Sequence, residues 1–514
     1  MSDSADVDLH RESLVPRADK DQKPEKSVPL FCGLNCFVCP FVADLRRSSV
    51  RALFPTPPDG DEPIADGGPQ ETTPEPPKPW RPYPKALELA LSVAFGVGAW
   101  LTVNGVFVEL PILVQAAPEG WALPSHLSLA VQVANSGPIL YVILLRFSKR
   151  SRAVTSRTAV VYVILLMGAA ASLALAFTWD KPVGGRSWPT LILTFVFALV
   201  GCTSSVLFIP FMASFRPRAL AAYFTGEGIG GLLPGIIALA QGAGGDPQCA
   251  PDGTPLPPLP PNFSPKVYFL CLFALMMCSV FGFLLLERRG RGAHQMGLPR
   301  EKMEEDDFRS EVRSYNEGPP NEEDIPSLST TQLALLLAIA FWACLLANGA
   351  LPGIQTYSCA PYGTSAYHLS ATLSAMANPA TCLVVFFTPI RKSFSLTHSF
   401  AMIFTILGLA AVAATVLSGL ALTTALLSPK PPLIGYKSGE VLIVLIWIGL
   451  TIGAVYTKVG VAGALQEVDS RAKTTGRGPL LWYGAITQAG SAVGSIISFL
   501  AVTEFQLFVS PPPC

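Results

Sequence analysis

Between Lys266 and Glu287 the chain reads V-Y-F-L-C-L-F-A-L-M-M-C-S-V-F-G-F-L-L-L (267–286), then turns to E-R-R-G-R (287–291). The whole run passes without a charge. A helix rises about 1.5 Å per residue, so it covers the roughly 30 Å hydrocarbon core of a bilayer. Lipid offers the backbone no hydrogen-bond partners, which makes a helix the expected form. Ten more runs of this kind flank it, near 87–113, 127–145, 158–178, 190–213, 219–241, 331–354, 367–388, 397–427, 440–465 and 480–508. Several exceed the minimum, which predicts tilt or ragged ends. Length and the lack of strict alternation exclude a membrane β-barrel. The fold class expected is an all-α polytopic membrane protein with eleven spans.

The gaps set the orientation. Nineteen Lys and Arg fall after runs 2, 4, 6, 8 and 10, from Arg146 and Lys149 to Lys473 and Arg477. The opposite gaps hold five: Lys181, Arg186, Lys266, Lys430 and Lys437. Basic loops stay in the cytoplasm, so the N-terminus is expected inside and, after an odd number of spans, Cys514 outside. Net charge is zero, 14% of residues are charged and half are apolar. That balance suits a membrane solvent and gives nucleic acid no basic block. Residues 1–30 lack the apolar core of a signal peptide, so run 1 is expected to act as its own insertion signal.

Composition divides the chain. Residues 1–84, with P-T-P-P-D-G-D-E-P and T-P-E-P-P-K-P, read as a disordered cytoplasmic tail. Residues 85–286 read as a six-helix bundle, 287–330 as a charged cytoplasmic linker, 331–508 as a five-helix bundle and 509–514 as an extracellular end. Cys32, Cys36 and Cys39 in the tail suit an inert segment or reversible palmitoylation better than a metal cluster. Asn262-Phe263-Ser264 is an N-glycosylation sequon on the outer side. Cys249 and Cys359 fall in the oxidising compartment and are candidates for a disulfide.

A weak repeat links the halves. Run 1 holds W-L-T-V-N-G-V-F-V-E-L-P (100–111) and run 7 L-L-A-N-G-A-L-P (345–352); Asn135 and Pro138 in run 2 match Asn378 and Pro379 in run 8. An offset of six spans is the register of a parallel repeat in transporters, with substrate held between the halves. Amides and acids inside a membrane are costly and mark cavities or helix contacts. Trp100 and Asn104 share a helix face. Glu109 stands 140° around from Asn104, so it meets the same cavity only if Gly105 and Pro111 distort the helix; otherwise it is a solvated helix end. Asn348 and Gln355 lie nearly on one face, with Asn348 alternatively a pure interhelix bond. In Y-F-T-G-E-G-I-G-G-L-L-P-G (223–235) the glycines suit close packing. Glu227 must line water, pair with a base such as Lys458, or stay protonated, and Lys458 alternatively snorkels to the cytoplasmic surface. Tyr223 shares that pathway assignment. No Walker motif, zinc-ligand set or Ser/His/Asp group is present, so neither enzyme activity nor a cofactor is expected. The pathway reads as neutral: amides, hydroxyls and rings, suited to an uncharged, flat, hydrogen-bonding solute.

These residues carry a resemblance. N-G-V-F-V-E-L-P (104–111), P-E-G-W-A-L-P-S (118–125), C-T-S-S-V-L-F-I-P-F-M (202–212), G-E-G-I-G-G-L-L-P (226–234), N-G-A-L-P-G-I-Q-T-Y-S-C (348–359) and A-Y-H-L-S-A-T-L-S-A-M-A-N-P (366–379) together resemble the eukaryotic riboflavin transporters, solute carrier family 52. The match spans about 86–510. It implies a major-facilitator or equilibrative-nucleoside-transporter-like arrangement of six and five helices, plasma-membrane residence and sodium-independent riboflavin uptake. Riboflavin is neutral; its ring stacks on aromatic side chains, and its polar edge needs donors and acceptors together. The expected substrate contacts are Asn104 and Asn348, with Trp100, Glu109, Asn135, Gln355 and Asn378 around them. Partners expected are riboflavin and lipid, in a monomer. Ala347, Phe107 and Lys430 depart from the family pattern, where Thr, Trp and Cys are frequent. The family's loop-to-C-terminus disulfide is thereby lost, and Cys514 has no such partner. Alternative functions are carriage of another neutral heterocycle, such as a nucleoside, or service as a cell-surface receptor of the kind viruses use for entry.

Overall fold

The computed structural model describes residues 85–147, 157–212, 215, 217–245, 248–249, 255–256, 259–295, 328–387, 399–472 and 479–511. The tail with Cys32, Cys36 and Cys39, the linker between 296 and 327, most of the basic-gap residues and Cys514 lie outside them. Every apolar run is helical. In chain order the helices are α1 Lys85–Val97, α2 Leu101–Ala116, α3 Leu123–Ala134, α4 Ser136–Phe147, α5 Arg157–Thr178, α6 Trp188–Met212 and α7 Pro217–Gln241. They continue with α8 Pro265–Gln295, α9 Thr330–Cys344, α10 Leu351–Cys359, α11 Thr364–Phe387, α12 Ser399–Leu426, α13 Lys437–Ala472 and α14 Pro479–Phe499. A short hairpin pairs β1 Gln248–Cys249 with β2 Pro255–Leu256. The protein is all-helical apart from this hairpin and an isolated bridge at Val183 and Arg186, among the described residues.

Seven of these helices are long and apolar enough to cross a membrane, or eight if the bent pair α1 and α2 counts as one span, among the described residues. Their surface agrees with a lipid solvent. On α12, Leu409, Val412 and Val416 are about 60% exposed, on a helix with no charged residue between Ser399 and Leu426. The interior is aromatic on one side: Phe95 packs on Phe208 at 4.7 Å, on Phe283 at 5.1 Å and on Tyr223 at 5.5 Å between ring centres.

Three runs are broken rather than smooth. Run 1 bends by 51° between α1 and α2. The distortion expected at Gly105 and Pro111 therefore sits earlier, at Gly98–Trp100, and Asn104 follows it within the first turn of α2. Run 2 divides at Asn135, between α3 and α4. Run 7 is interrupted by a π-turn, Leu345–Ala350. Pro352 has no N–H to give to the carbonyl of Asn348, and the Leu351 N–H donates five residues back to Leu346 O. The ladder slips by one residue there, as π-turns do where a chain builds a site.

Glycine lets the bundle close. A side chain on Gly226 or Gly230 of α7 would strike the backbone carbonyls of Val93 and Val97 on α1, so these two helices pack backbone to backbone. Helices of the first half pack chiefly on one another, as α1 does on α7 and α8. They meet the second half through α2, α3 and α7, which contact α10, α11 and α14. Outside the spans, the Ser187 N–H donates to Glu119 Oε1 at 2.9 Å and ties the loop before α6 to the turn after α2. Burial alone would raise the Glu119 carboxyl, but the hydrogen bonds from Ser187 and from its own backbone N–H, together with nearby His126, hold it below its usual value.

Candidate functional site

A cavity of about 220 Å³ opens where α2 and α3 face the π-turn, α10, α11, α13 and α14. Trp100 and Asn104, one helical turn apart, enter it from α2; Asn348 and Gln355 enter from the π-turn and α10; Asn378 enters from α11 and Asn135 from the break in run 2. Sequence reasoning thus named six of the amide and aromatic residues that share this wall. Trp100 lies flat against Gly201 of α6, where an added Cβ would come within 2.8 Å of the indole.

Hydrogen bonding divides these residues by role. Asn135 Nδ2 donates to Gln132 Oε1 at 3.1 Å and to Gln488 Oε1 at 3.0 Å, while Oδ1 accepts from Cys202 Sγ at 3.0 Å. Its amide hydrogens are both engaged, so Asn135 frames the cavity and ties α3 to α6 and α14. Lys458 Nζ of α13 donates to Asn348 Oδ1 at 2.8 Å and fixes which way that amide points. Trp100 Nε1, Ser128 Oγ and Ser374 Oγ are buried and have no partner within the described residues. Buried polar atoms left unpaired cost about 1–3 kcal/mol each, so a guest that supplies acceptors gains what the fold leaves unmet. The walls between are apolar: Val103, Phe107, Leu351, Leu450 and the Trp447 ring.

Other expected residues stand elsewhere. Glu109 is 1% exposed and accepts from Gln241 Nε2 at 2.9 Å, on the side of α2 turned to α7. It is neither a solvated helix end nor a cavity residue: α2 stays regular enough at Pro111 to keep the 140° offset. Tyr223 is packed among Phe95 and Phe224 and does not face the cavity. Glu227 is buried outside the cavity lining, and among the described residues no ion pair joins it to Lys458. Lys458 does not snorkel to the surface; it is 3% exposed. Its presence also corrects the expectation of a wholly neutral pathway. Cys359 ends α10 as a free thiol, fully buried, so the disulfide expected between Cys249 and Cys359 is not formed. Asn262 is exposed beyond α7, with Nδ2 donating to Ala240 O at 3.0 Å.

Sequence reasoning passed over Gln132, Gln488, Ser374 and Ser491, which also line the cavity. The signal was present, since each is a polar residue in an apolar run. Gln132 and Ser374 lack the neighbouring Gly and Pro that drew attention to Asn104 and Asn348, whereas Ser491 directly follows Gly490.

Comparison with known proteins decides the family. Residues 85–510 match the sequence profile described as "Solute carrier family 52, riboflavin transporter". The chain belongs to solute carrier family 52. It is 34% identical over 464 residues to the zebrafish (Danio rerio) riboflavin transporter member 3-B of that family, covering 82% of this chain and 97% of that protein. It is 36% identical over 476 residues to member 3 from Bos taurus (82% and 97%), and 35% identical over 464 residues to member 2 from Homo sapiens (85% and 98%). Among solved structures it is similar to a proton dependent oligopeptide family transporter, with a TM-score of 0.49, 14% identity and coverage of 81% and 91%. It is also similar to the nucleoside transporter NupG, with a TM-score of 0.42, 13% identity and coverage of 82% and 90%. Like the rest of solute carrier family 52, this is a multi-pass membrane transporter.

Proposed function

We propose that this chain carries riboflavin into the cell across the plasma membrane, without sodium, by alternating access around the α2–α11 cavity. Family membership supports the substrate. The observation that carries the site is the convergence of Asn104 and Asn348 on one cavity from the two halves of the chain. Amides there offer donors and acceptors together, Trp100 and Trp447 offer faces for a flat ring, and the lining holds no carboxylate. In this reading the eleven apolar runs are eleven spans in a six-plus-five arrangement, with the N-terminus in the cytoplasm and the C-terminus outside. The basic gaps support that orientation.

The test is uptake of radiolabelled riboflavin by cells that express the chain and lack their own carrier. Saturable uptake is expected, undiminished when choline replaces sodium and blocked by excess unlabelled riboflavin but not by nucleosides. Uptake no greater than in cells without the chain would refute the reading, and competition by nucleosides alone would move it to another heterocycle.

A further inference from the structure

Lys458 is the one Lys, Arg, Asp or Glu side chain in the cavity wall among the described residues. It sits within α13, in the long apolar stretch from Val441 to Leu465, where an ionisable side chain is costly and faces a cavity or another helix. Two contacts hold it. Its backbone carbonyl accepts from Tyr483 Oη of α14 at 2.9 Å, and its Nζ donates to Asn348 Oδ1 at 2.8 Å. An ammonium carries three N–H donors. The bond to Asn348 uses one, and among the described residues no carboxylate pairs with the charge. A buried cation without a counter-ion is costly unless its remaining donors meet acceptors. The wall around it adds unpartnered donors, Trp100 Nε1 and the hydroxyls of Ser128 and Ser374. Among the described residues the lining holds no carboxylate, while its amides and hydroxyls supply both donors and acceptors. It calls for a neutral, acceptor-rich guest, with the strongest acceptor placed at Lys458.

We propose that Lys458 is a specificity residue, donating a charge-assisted hydrogen bond to a carbonyl oxygen on the pyrimidinedione edge of the flavin ring, with Asn348 holding the ammonium in place. This rests on the riboflavin reading above. The edge presents two carbonyl oxygens and ring nitrogens with lone pairs, whereas the ribityl chain presents hydroxyls that donate as readily as they accept. A fixed cation distinguishes these two ends of one molecule. It also disfavours cationic heterocycles of the same shape.

The experiment uses purified full-length protein in detergent or lipid nanodiscs and two probes, riboflavin and lumiflavin, which has the same ring with a methyl in place of the ribityl chain. Binding is followed by quenching of flavin fluorescence, and the carbonyl stretches of bound flavin by infrared difference spectroscopy. In Lys458→Met, which keeps an unbranched stem and removes the ammonium, affinity for both probes is expected to fall by about 10- to 100-fold, the range for a hydrogen bond to a charged group. One carbonyl stretch, lowered in the unaltered protein, returns toward its frequency in a non-bonding solvent. Three outcomes overturn the proposal: unchanged affinity in Lys458→Met, a loss confined to riboflavin, or no lowered carbonyl stretch in the unaltered protein. The last applies even if the variant fails to fold. Failure of the unaltered protein to bind riboflavin at all refutes the function itself and is thereby distinguished from failure of the Lys458 assignment.

Discussion

Asn104 and Asn348 stand in like sequence patterns, each an Asn-Gly followed by Pro, yet their surroundings differ. Asn348 is held by the Lys458 ammonium, and Asn104 lies against Gly231 of α7, with its Nδ2 3.5 Å from where a Cβ would stand. Removing an amide that meets substrate in a desolvated site costs roughly 1–3 kcal/mol, or about 5- to 100-fold in uptake at low substrate. Asn104→Ala should fall in that range. Asn348→Ala should fall at its upper end, because it also strands a buried cation. Uptake at limiting riboflavin, corrected for surface expression, decides each residue separately, and unchanged uptake removes that residue from the site. Much at this scale was legible because helix geometry is local: the four-residue step put Trp100 and Asn104 together, and the 140° step kept Glu109 away. Occupancy was not legible. The partners of Asn135, Cys202 and Gln488, lie 67 and 353 residues along the chain. The same holds for Lys458, whose possible fates of pairing, snorkelling or lining a cavity depend on helices that sequence alone does not bring near.

Elements interrupted inside the membrane build this site, and their backbone contacts are as tight as the side chains around them. A Cβ on Gly349 in the π-turn would stand 2.7 Å from both Ser491 O and Gly494 Cα of α14. Neither backbone can rotate away as a side chain could. Gly349→Ala should therefore force α14 off the turn, with a cost of about 1–3 kcal/mol as for other overpacked interiors, and should displace Asn348 from the cavity. Gly408→Ala on α12 is the control, since nothing lies within 4 Å of its Cβ position. Lowered thermal stability and riboflavin affinity in the first variant and neither in the second is the expected result; equal behaviour of the two would remove the packing argument. Gly and Pro marked the break in run 7, because a missing Cβ or N–H is a local property, but the bend in run 1 lies at Gly98–Trp100 and not at Gly105 and Pro111. The form of each break was not marked. A bend in run 1, a division in run 2 and a π-turn in run 7 arise from what each helix packs against.

In the orientation proposed above, the contacts between the two halves include their outer ends. His126 of α3 meets Phe499 of α14 edge-on at 5.2 Å and Trp121 meets Tyr357 at 5.7 Å, while Tyr357 is backed within the second half by Phe508 at 5.4 Å. Gly353 of α10 sits between Ser125 of α3 and Ser498 of α14, and a Cβ there would collide with the Ser498 hydroxyl. In the alternating-access reading this is the outward-closed state, and Gly353 is the point at which the halves come together. A valine at 353 would strain α10 against Ser498 of its own half in both states and add a clash with Ser125 of α3 only in the closed one. Overpacking costs roughly 1–3 kcal/mol, and only the share that falls on Ser125 moves the equilibrium between the states, by about 5-fold for each 1 kcal/mol, because only a differential effect moves a population. Gly353→Val should keep riboflavin binding at the outer face of chilled cells while uptake at 37 °C falls by that order. Gly353→Ala should fall less, since one methyl displaces only the rotatable Ser498 hydroxyl. Uptake by Gly353→Val equal to the parent would show that the outer ends need not meet at this point for transport. Loss of binding together with uptake would mean that Gly353 supports the cavity itself rather than its closure.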